Sequence, residues 1–423
     1  MLVCRDGRGD SLAIEGRVVA PAQGIDECVR LTIEDGLITA IEPASASRLV
    51  VSPAFVDPHV HLRTPGREDE ETLQSGTEAA AAGGYCAILA MPNTDPVVDS
   101  ASVLGALVDR AREEAAIPTG FMAAISRGQR GEELTEMVEL SSVGAAAFTD
   151  DGRPVESAAL LRRALQYSAL ARLPLALHCE EPALSRNGHA HEGQVSAELG
   201  LGPYPSAAES LMVERDLALA AVEGRPVHLM HLSARESVDA LQRAQAEAVR
   251  ATAEVTPHHL CLTDEAVRTL DPNVKMNPPL RAEQDRRALV DALRRGTIGA
   301  VATDHAPHAR HEKDVPFEEA PFGVTGLETA FAALYTHLVI PGELSLETLL
   351  ERMSAGPAAT FGIEEPRIEV GARANLVVLD LDAEWNVVES SFRSRSANSW
   401  LLGATLRGRV LETIADGRVV YQA

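Results

Sequence analysis

Two histidines one residue apart, His59 and His61, stand at the end of a short apolar run and are succeeded by Arg63. In an extended strand, residues i and i+2 face the same side, so both imidazoles can reach one ion and Arg63 leans the same way. Alone, an HxH pair is a weak signal, because surface histidines produce it too. It gains weight from the residues at the ends of the other apolar runs: Asn93, Asp150-Asp151, His178, His231, and Asp304 with His308. Imidazoles and carboxylates without thiolates suit zinc or a similar divalent ion. Such an ion lowers the pKa of water toward ~7 and polarises a carbonyl, which is what metal-assisted hydrolysis requires.

These residues need a scaffold that brings them to one mouth. Eight apolar runs (50–56, 85–91, 119–125, 143–148, 174–177, 227–230, 251–255 and 299–302) read as strands. Between them lie alanine- and leucine-rich segments with helical spacing, among them 78–82, 102–116, 158–171, 208–222 and 285–295. The alternation predicts an α/β chain with a parallel (β/α)8 barrel, whose catalytic groups sit at the C-terminal ends of the strands. Both ends of the chain are different. Residues 29–34 and 37–41 flank an Asp35-Gly36 turn, and Asp416-Gly417 closes a second hairpin after 374–381 and 406–414. We expect a small β-sandwich domain built from both termini, residues 1–54 and 362–423, around a barrel at 55–361. Two unrelated terminal hairpins are the plainer alternative.

Composition narrows the function further. The 423 residues carry 38 basic against 62 acidic side chains, a formal charge of −24. A general nucleic-acid or anionic-membrane surface needs clustered positive charge and is disfavoured. If the substrate is an anion, a local arginine must hold it. Only two basic residues, Lys275 and Lys313, are lysines. No Gly-rich phosphate loop opens a helix segment, so nucleotide binding has no support. The five cysteines include no CxxC pair, and neither a signal-type apolar segment nor a membrane-length run is present, so a cytoplasmic protein is expected.

In combination the motifs resemble those of type I dihydroorotases, cyclic amidohydrolases of the urease-like metal-dependent hydrolase superfamily. The match runs in order through Asp57-Pro-His-Val-His-Leu-Arg63, Met91-Pro-Asn-Thr94, Phe148-Thr-Asp-Asp-Gly152, His178-Cys-Glu180 and His231-Leu-Ser233. It continues through Lys275-Met-Asn-Pro-Pro-Leu-Arg281, Thr303-Asp-His-Ala-Pro-His308 and Ala320-Pro-Phe-Gly323. The resemblance implies zinc-dependent, reversible closure of N-carbamoyl-L-aspartate to L-dihydroorotate in pyrimidine (UMP) biosynthesis. It implies His59, His61 and Asp304 as ligands of one zinc, His178 and His231 as ligands of a second, and Asp151 as the bridge. Many relatives bridge their metals with a carbamylated lysine after the fourth strand, where this chain has none. The choice of Asp151 over Asp150 comes from the resemblance, since neighbouring residues point oppositely and the register is not legible. With the shorter bridge, weaker binding of the second metal is expected.

Asp304 is the expected acid/base, taking a proton from water and delivering it to the ring nitrogen. Implied substrate contacts are His61, Arg63, Asn93, Asn277, His308 and the backbone of Phe322 and Gly323, with Arg63 as the carboxylate clamp. Residues 308–322 read either as a lid or as a disordered solvent loop. The resemblance leaves three other expectations open: an allantoinase- or dihydropyrimidinase-like activity, homo-oligomers, and a weakly active structural partner of aspartate carbamoyltransferase.

Overall fold

The computed structural model describes residues 1–423. Both ends of the chain enter one seven-stranded sheet, formed by the strands Leu12–Ala20, Ile25–Glu34, Leu37–Pro43, Leu49–Pro53, Leu376–Asn386, Thr405–Ala415 and Arg418–Gln422. The two expected hairpins are present, with Glu34 opposite Leu37 and Ala415 opposite Arg418. The join is Leu49–Pro53, which pairs in parallel with the first strand and antiparallel with Leu376–Asn386. Consecutive residues of this strand enter different cores. Val50 belongs to the 74-residue cluster around the barrel, and Val51 to a 13-residue cluster on the sheet's other face. Burial on both faces explains why this strand reads as part of a continuous apolar run rather than as alternation.

The barrel closes. Strands Phe55–Val60, Tyr85–Ala90 and Thr119–Phe121 pair in parallel, as do Leu175–Leu177, Val227–Leu229, Ala251–Val255 and Ala300–Val301. Single parallel bridges complete the ring: Ala123 to Phe148, Phe148 to Leu175, and Val60 to His305. Two of the expected runs need correction. The run at 50–56 is two strands, broken at Ala54, so His59 lies inside the first barrel strand and not beyond it. The run at 143–148 begins in a helix, Met137–Val143, which ends on Gly144 at φ 118°, and only Phe148 bonds both neighbours. Alanine-rich sequence between Gly144 and Phe148 masked that helix end.

The helical segments fall close to their expected positions, at Leu73–Ala82, Ala101–Glu114, Ala158–Ala171, Ala207–Glu223 and Glu283–Arg295. Segment 308–322 is folded: it contains the short helix Arg310–Lys313, and it packs against the barrel mouth. No helix is long and apolar enough to cross a membrane.

Candidate metal centre and substrate cavity

The site is built where the first and eighth barrel strands meet. Buried Asp57 accepts hydrogen bonds from the Thr303 hydroxyl (2.6 Å), the Thr303 N–H and the His59 N–H (3.1 Å). The His61 N–H then donates to the His305 carbonyl at 2.9 Å. This ladder fixes the register that sets His59 and His61 beside Asp304. Their rings lie on one side, with centroids 5.3 Å apart, as i, i+2 spacing requires.

Asp151 stands between two groups of imidazoles. Its carboxylate oxygens lie 3.5 Å from His59 Nε2 and 3.4 Å from His61 Nε2 on one side. On the other they lie 3.8 Å from His178 Nδ1 and 3.6 Å from His231 Nε2. Two potential ion cradles therefore share this one carboxylate, His59–His61–Asp151 and Asp151–His178–His231. Asp304 completes the first, 3.0 Å from His61 Nε2 and 3.4 Å from His59 Nε2. Asp150 points away and accepts from the N–H groups of Ile125 (2.8 Å) and Ser126 (3.0 Å) and from the Ser126 hydroxyl. Neither lysine approaches the cluster, because both are engaged with backbone carbonyls elsewhere.

The donor set fits a divalent cation. His59 Nδ1 donates to Glu254 at 2.6 Å, which leaves the lone pair on Nε2 facing two carboxylates. That Nε2 is buried and has no hydrogen-bond partner. A lone pair aimed at carboxylates in a dry site is repulsive unless a cation lies between them. Positive charge placed on the imidazoles has the effect an ion would have: burial alone would push the Asp151 and Asp304 carboxyls up, but protonated imidazoles, His59 first, outweigh it and hold both below the ordinary carboxylate range. Arg63, His231 and Asp304 all adopt positive φ, 56°, 32° and 47°. Non-glycine residues held in this region carry local strain, which concentrates at functional sites.

Above the imidazoles opens a cavity of about 350 Å³. It is lined by all seven residues expected to touch substrate, His61, Arg63, Asn93, Asn277, His308, Phe322 and Gly323, and by Asp151, His178, His231 and Asp304. His59 lies beneath it, fully buried. Asn93 Oδ1 accepts from His61 Nδ1 at 2.9 Å. Arg63 Nε donates to the Pro307 carbonyl (3.1 Å) and is ion-paired with Glu70 Oε2, 2.9 Å away.

Three residues that orient the cluster have no counterpart among the sequence-based candidates. Glu254 accepts from His59 Nδ1 and from His228 Nε2 (3.0 Å), and lies 3.4 Å from the His231 N–H. Glu180 bonds His178 Nε2 (2.9 Å) and accepts from Asn277 Nδ2 (3.0 Å) and the Ser185 hydroxyl. Glu70 backs Arg63. Carboxylates behind ligating imidazoles fix tautomer and ring angle, and losing one typically costs ~10–100-fold in metal affinity. We expect Glu254→Gln to weaken metal binding by about that factor. Chelator competition followed by metal analysis checks it, and wild-type retention of metal would refute the role.

Comparison with known proteins shows the family. A family model described as dihydro-orotase-like matches residues 47–237, and one for the amidohydrolase family matches 322–421. The dihydroorotase of Syntrophus aciditrophicus (strain SB) is 43% identical over 418 residues, covering 96% of this chain and 98% of the relative. This chain belongs to the dihydroorotase family. The dihydroorotase of Anaeromyxobacter dehalogenans (strain 2CP-1 / ATCC BAA-258) is 44% identical over 426 residues, with 98% of each covered. Among solved structures, the L-hydantoinase (dihydropyrimidinase) from Arthrobacter aurescens superposes with a TM-score of 0.85 at 25% identity, covering 96% of this chain and 94% of that one. Dihydroorotases and hydantoinases are thus related by architecture, a barrel with an accessory β domain. The chain is a cyclic amidohydrolase.

Proposed function

We propose that this dihydroorotase family member interconverts N-carbamoyl-L-aspartate and L-dihydroorotate in pyrimidine biosynthesis, with zinc at the His59–His61–Asp151–Asp304 cradle and a second zinc at Asp151–His178–His231. The observation that carries this reading is the position of Arg63. A buried guanidinium shares one cavity with the histidine–aspartate cluster, as an anionic ring requires and a neutral hydantoin does not.

A divalent ion bound here supplies an activated water and a polarised carbonyl. The remaining work falls to the chain. Arg63 presents its guanidinium to the substrate carboxylate, held in place by Glu70. Asn93 and Asn277 are each anchored by one amide atom, Asn93 Oδ1 by His61 and Asn277 Nδ2 by Glu180. Asn277 Oδ1 is buried and otherwise unpartnered, so it is available to accept from a ring N–H. Asp304, kept ionised by its imidazole neighbours, takes the proton of the attacking water and hands it to the departing ring nitrogen. Ring closure runs the same groups in reverse and consumes a proton, so lower pH favours dihydroorotate.

The deciding experiment assays the purified chain by itself with dihydroorotate and carbamoyl-aspartate, beside hydantoin and allantoin, with zinc measured on the same sample. We expect turnover of the first pair to exceed that of the neutral rings. Preferential turnover of hydantoin or allantoin would overturn the assignment.

A further inference from the structure

Of 38 basic residues only two are lysines, and the fold uses both in the same way. Lys275 and Lys313 are buried, 2% and 8% exposed. Every hydrogen bond of their ammonium groups goes to a main-chain carbonyl. Lys275 Nζ donates to the carbonyls of Phe317 (2.8 Å), Glu318 (2.9 Å) and Ala320 (2.7 Å), which uses all three of its N–H groups. Lys313 Nζ donates to Pro272 (3.0 Å) and Pro321 (2.8 Å). The two cross-links run in opposite senses. Lys275 reaches from 272–277 into the mouth segment, and Lys313 reaches from that segment back to 272.

The clamped element is the substrate wall. The Gly323 N–H donates to the Lys275 carbonyl at 2.9 Å, and the Phe322 carbonyl accepts from His308 Nε2 at 2.8 Å. The Lys275 ammonium also lies 4.8 Å from the centroid of the Phe322 ring. Asn277, two residues beyond Lys275, faces the same cavity. Three carbonyls converging on one point suit a tetrahedral ammonium with three rotatable donors. A planar guanidinium spreads its donors along a fork and cannot cap them. In a chain that otherwise uses arginine, this geometry accounts for a lysine at position 275.

We propose that Lys275 and Lys313 are positioning residues that hold segment 308–323 closed over the substrate cavity, fixing His308, Phe322 and Gly323 for binding. Neither touches the reacting atoms. The inference rests on the dihydroorotase reading for its kinetic readout, but not for its structural one.

The test uses the metal-loaded full chain and the variants Lys275→Met, Lys275→Arg and Lys313→Met. Opening the wall removes preorganised contacts, so KM for dihydroorotate rises about tenfold or more in Lys275→Met while kcat changes less. Bound metal stays at the wild-type level, and trypsin cuts at Arg310 sooner in both methionine variants. Lys275→Arg keeps the charge and still shows the raised KM. Wild-type KM together with wild-type trypsin resistance in both methionine variants would overturn the proposal, as would full rescue by Lys275→Arg. Should Lys275→Met fail to fold, Lys313→Met and its cleavage rate at Arg310 decide the matter. A wild-type chain inert toward dihydroorotate defeats the functional reading alone, and the trypsin comparison still decides the clamp.

Discussion

Asp304→Asn lowers kcat by about 10²–10⁴, the range expected for loss of a general acid–base group, while metal remains bound. Two features make this residue the one to remove. It lies just past the eighth barrel strand, Ala300–Val301, at φ 47°, and lines the cavity. It is also held ionised. Burial opposes the charge, but His59, His61 and His231 overcome that cost and keep the carboxyl below its ordinary range, so it stands ready as a base at neutral pH. Asparagine keeps an oxygen in nearly the same place and cannot accept a proton. His59, His61 and Asp151 still form a cradle without it, so metal analysis on the variant separates the two roles. Substantial turnover with metal retained would reduce Asp304 to a ligand only.

The parts of the site legible in the sequence are those whose chemistry shows at a strand end. His59-x-His61 needs only the period of a strand. His178, His231 and Asp304 each follow an apolar run, and the closed barrel brings such ends together whatever their separation in sequence. Asp151 was less accessible, because a fourth strand reduced to Phe148 carries no periodicity from which to read which aspartate faces inward. The structure places Asp150 against Ser126 and Asp151 among the imidazoles. The supporting carboxylates left fainter traces. Glu254 is the one charged residue in the strand Ala251–Val255, and a carboxylate inside a barrel strand must face a partner. Glu180 stands two residues after His178, the same i, i+2 relation that makes the first histidine pair. Glu70 had no such signal, since it reaches Arg63 through the irregular turn after the first strand.

That turn carries the second large effect. Arg63→Ala lowers kcat/KM for dihydroorotate by about 10²–10³, in keeping with the 2–5 kcal/mol cost of truncating a buried charge pair. The guanidinium is 8% exposed and its Nε is committed to Glu70 and to Pro307. Its Nη groups are the part left for a carboxylate, and Nη2 lies 3.5 Å from His308 Nε2. Removal therefore has two consequences. The substrate anion loses its fork, and Glu70 keeps only Arg67 as a cationic neighbour. Burial already pushes the Glu70 carboxyl up to about 7 against the pull of both arginines. Without Arg63 it takes up a proton more readily and ceases to repel the incoming anion, so the kinetic loss reports mainly on the missing fork. Arg63→Lys restores charge but not the planar pair of donors, and recovers only part of the activity. A neutral ring substrate provides the control, because its rate has no carboxylate to lose. Kinetic constants for dihydroorotate unaltered in Arg63→Ala would remove the clamp, and with it the reason to favour an anionic ring over a hydantoin.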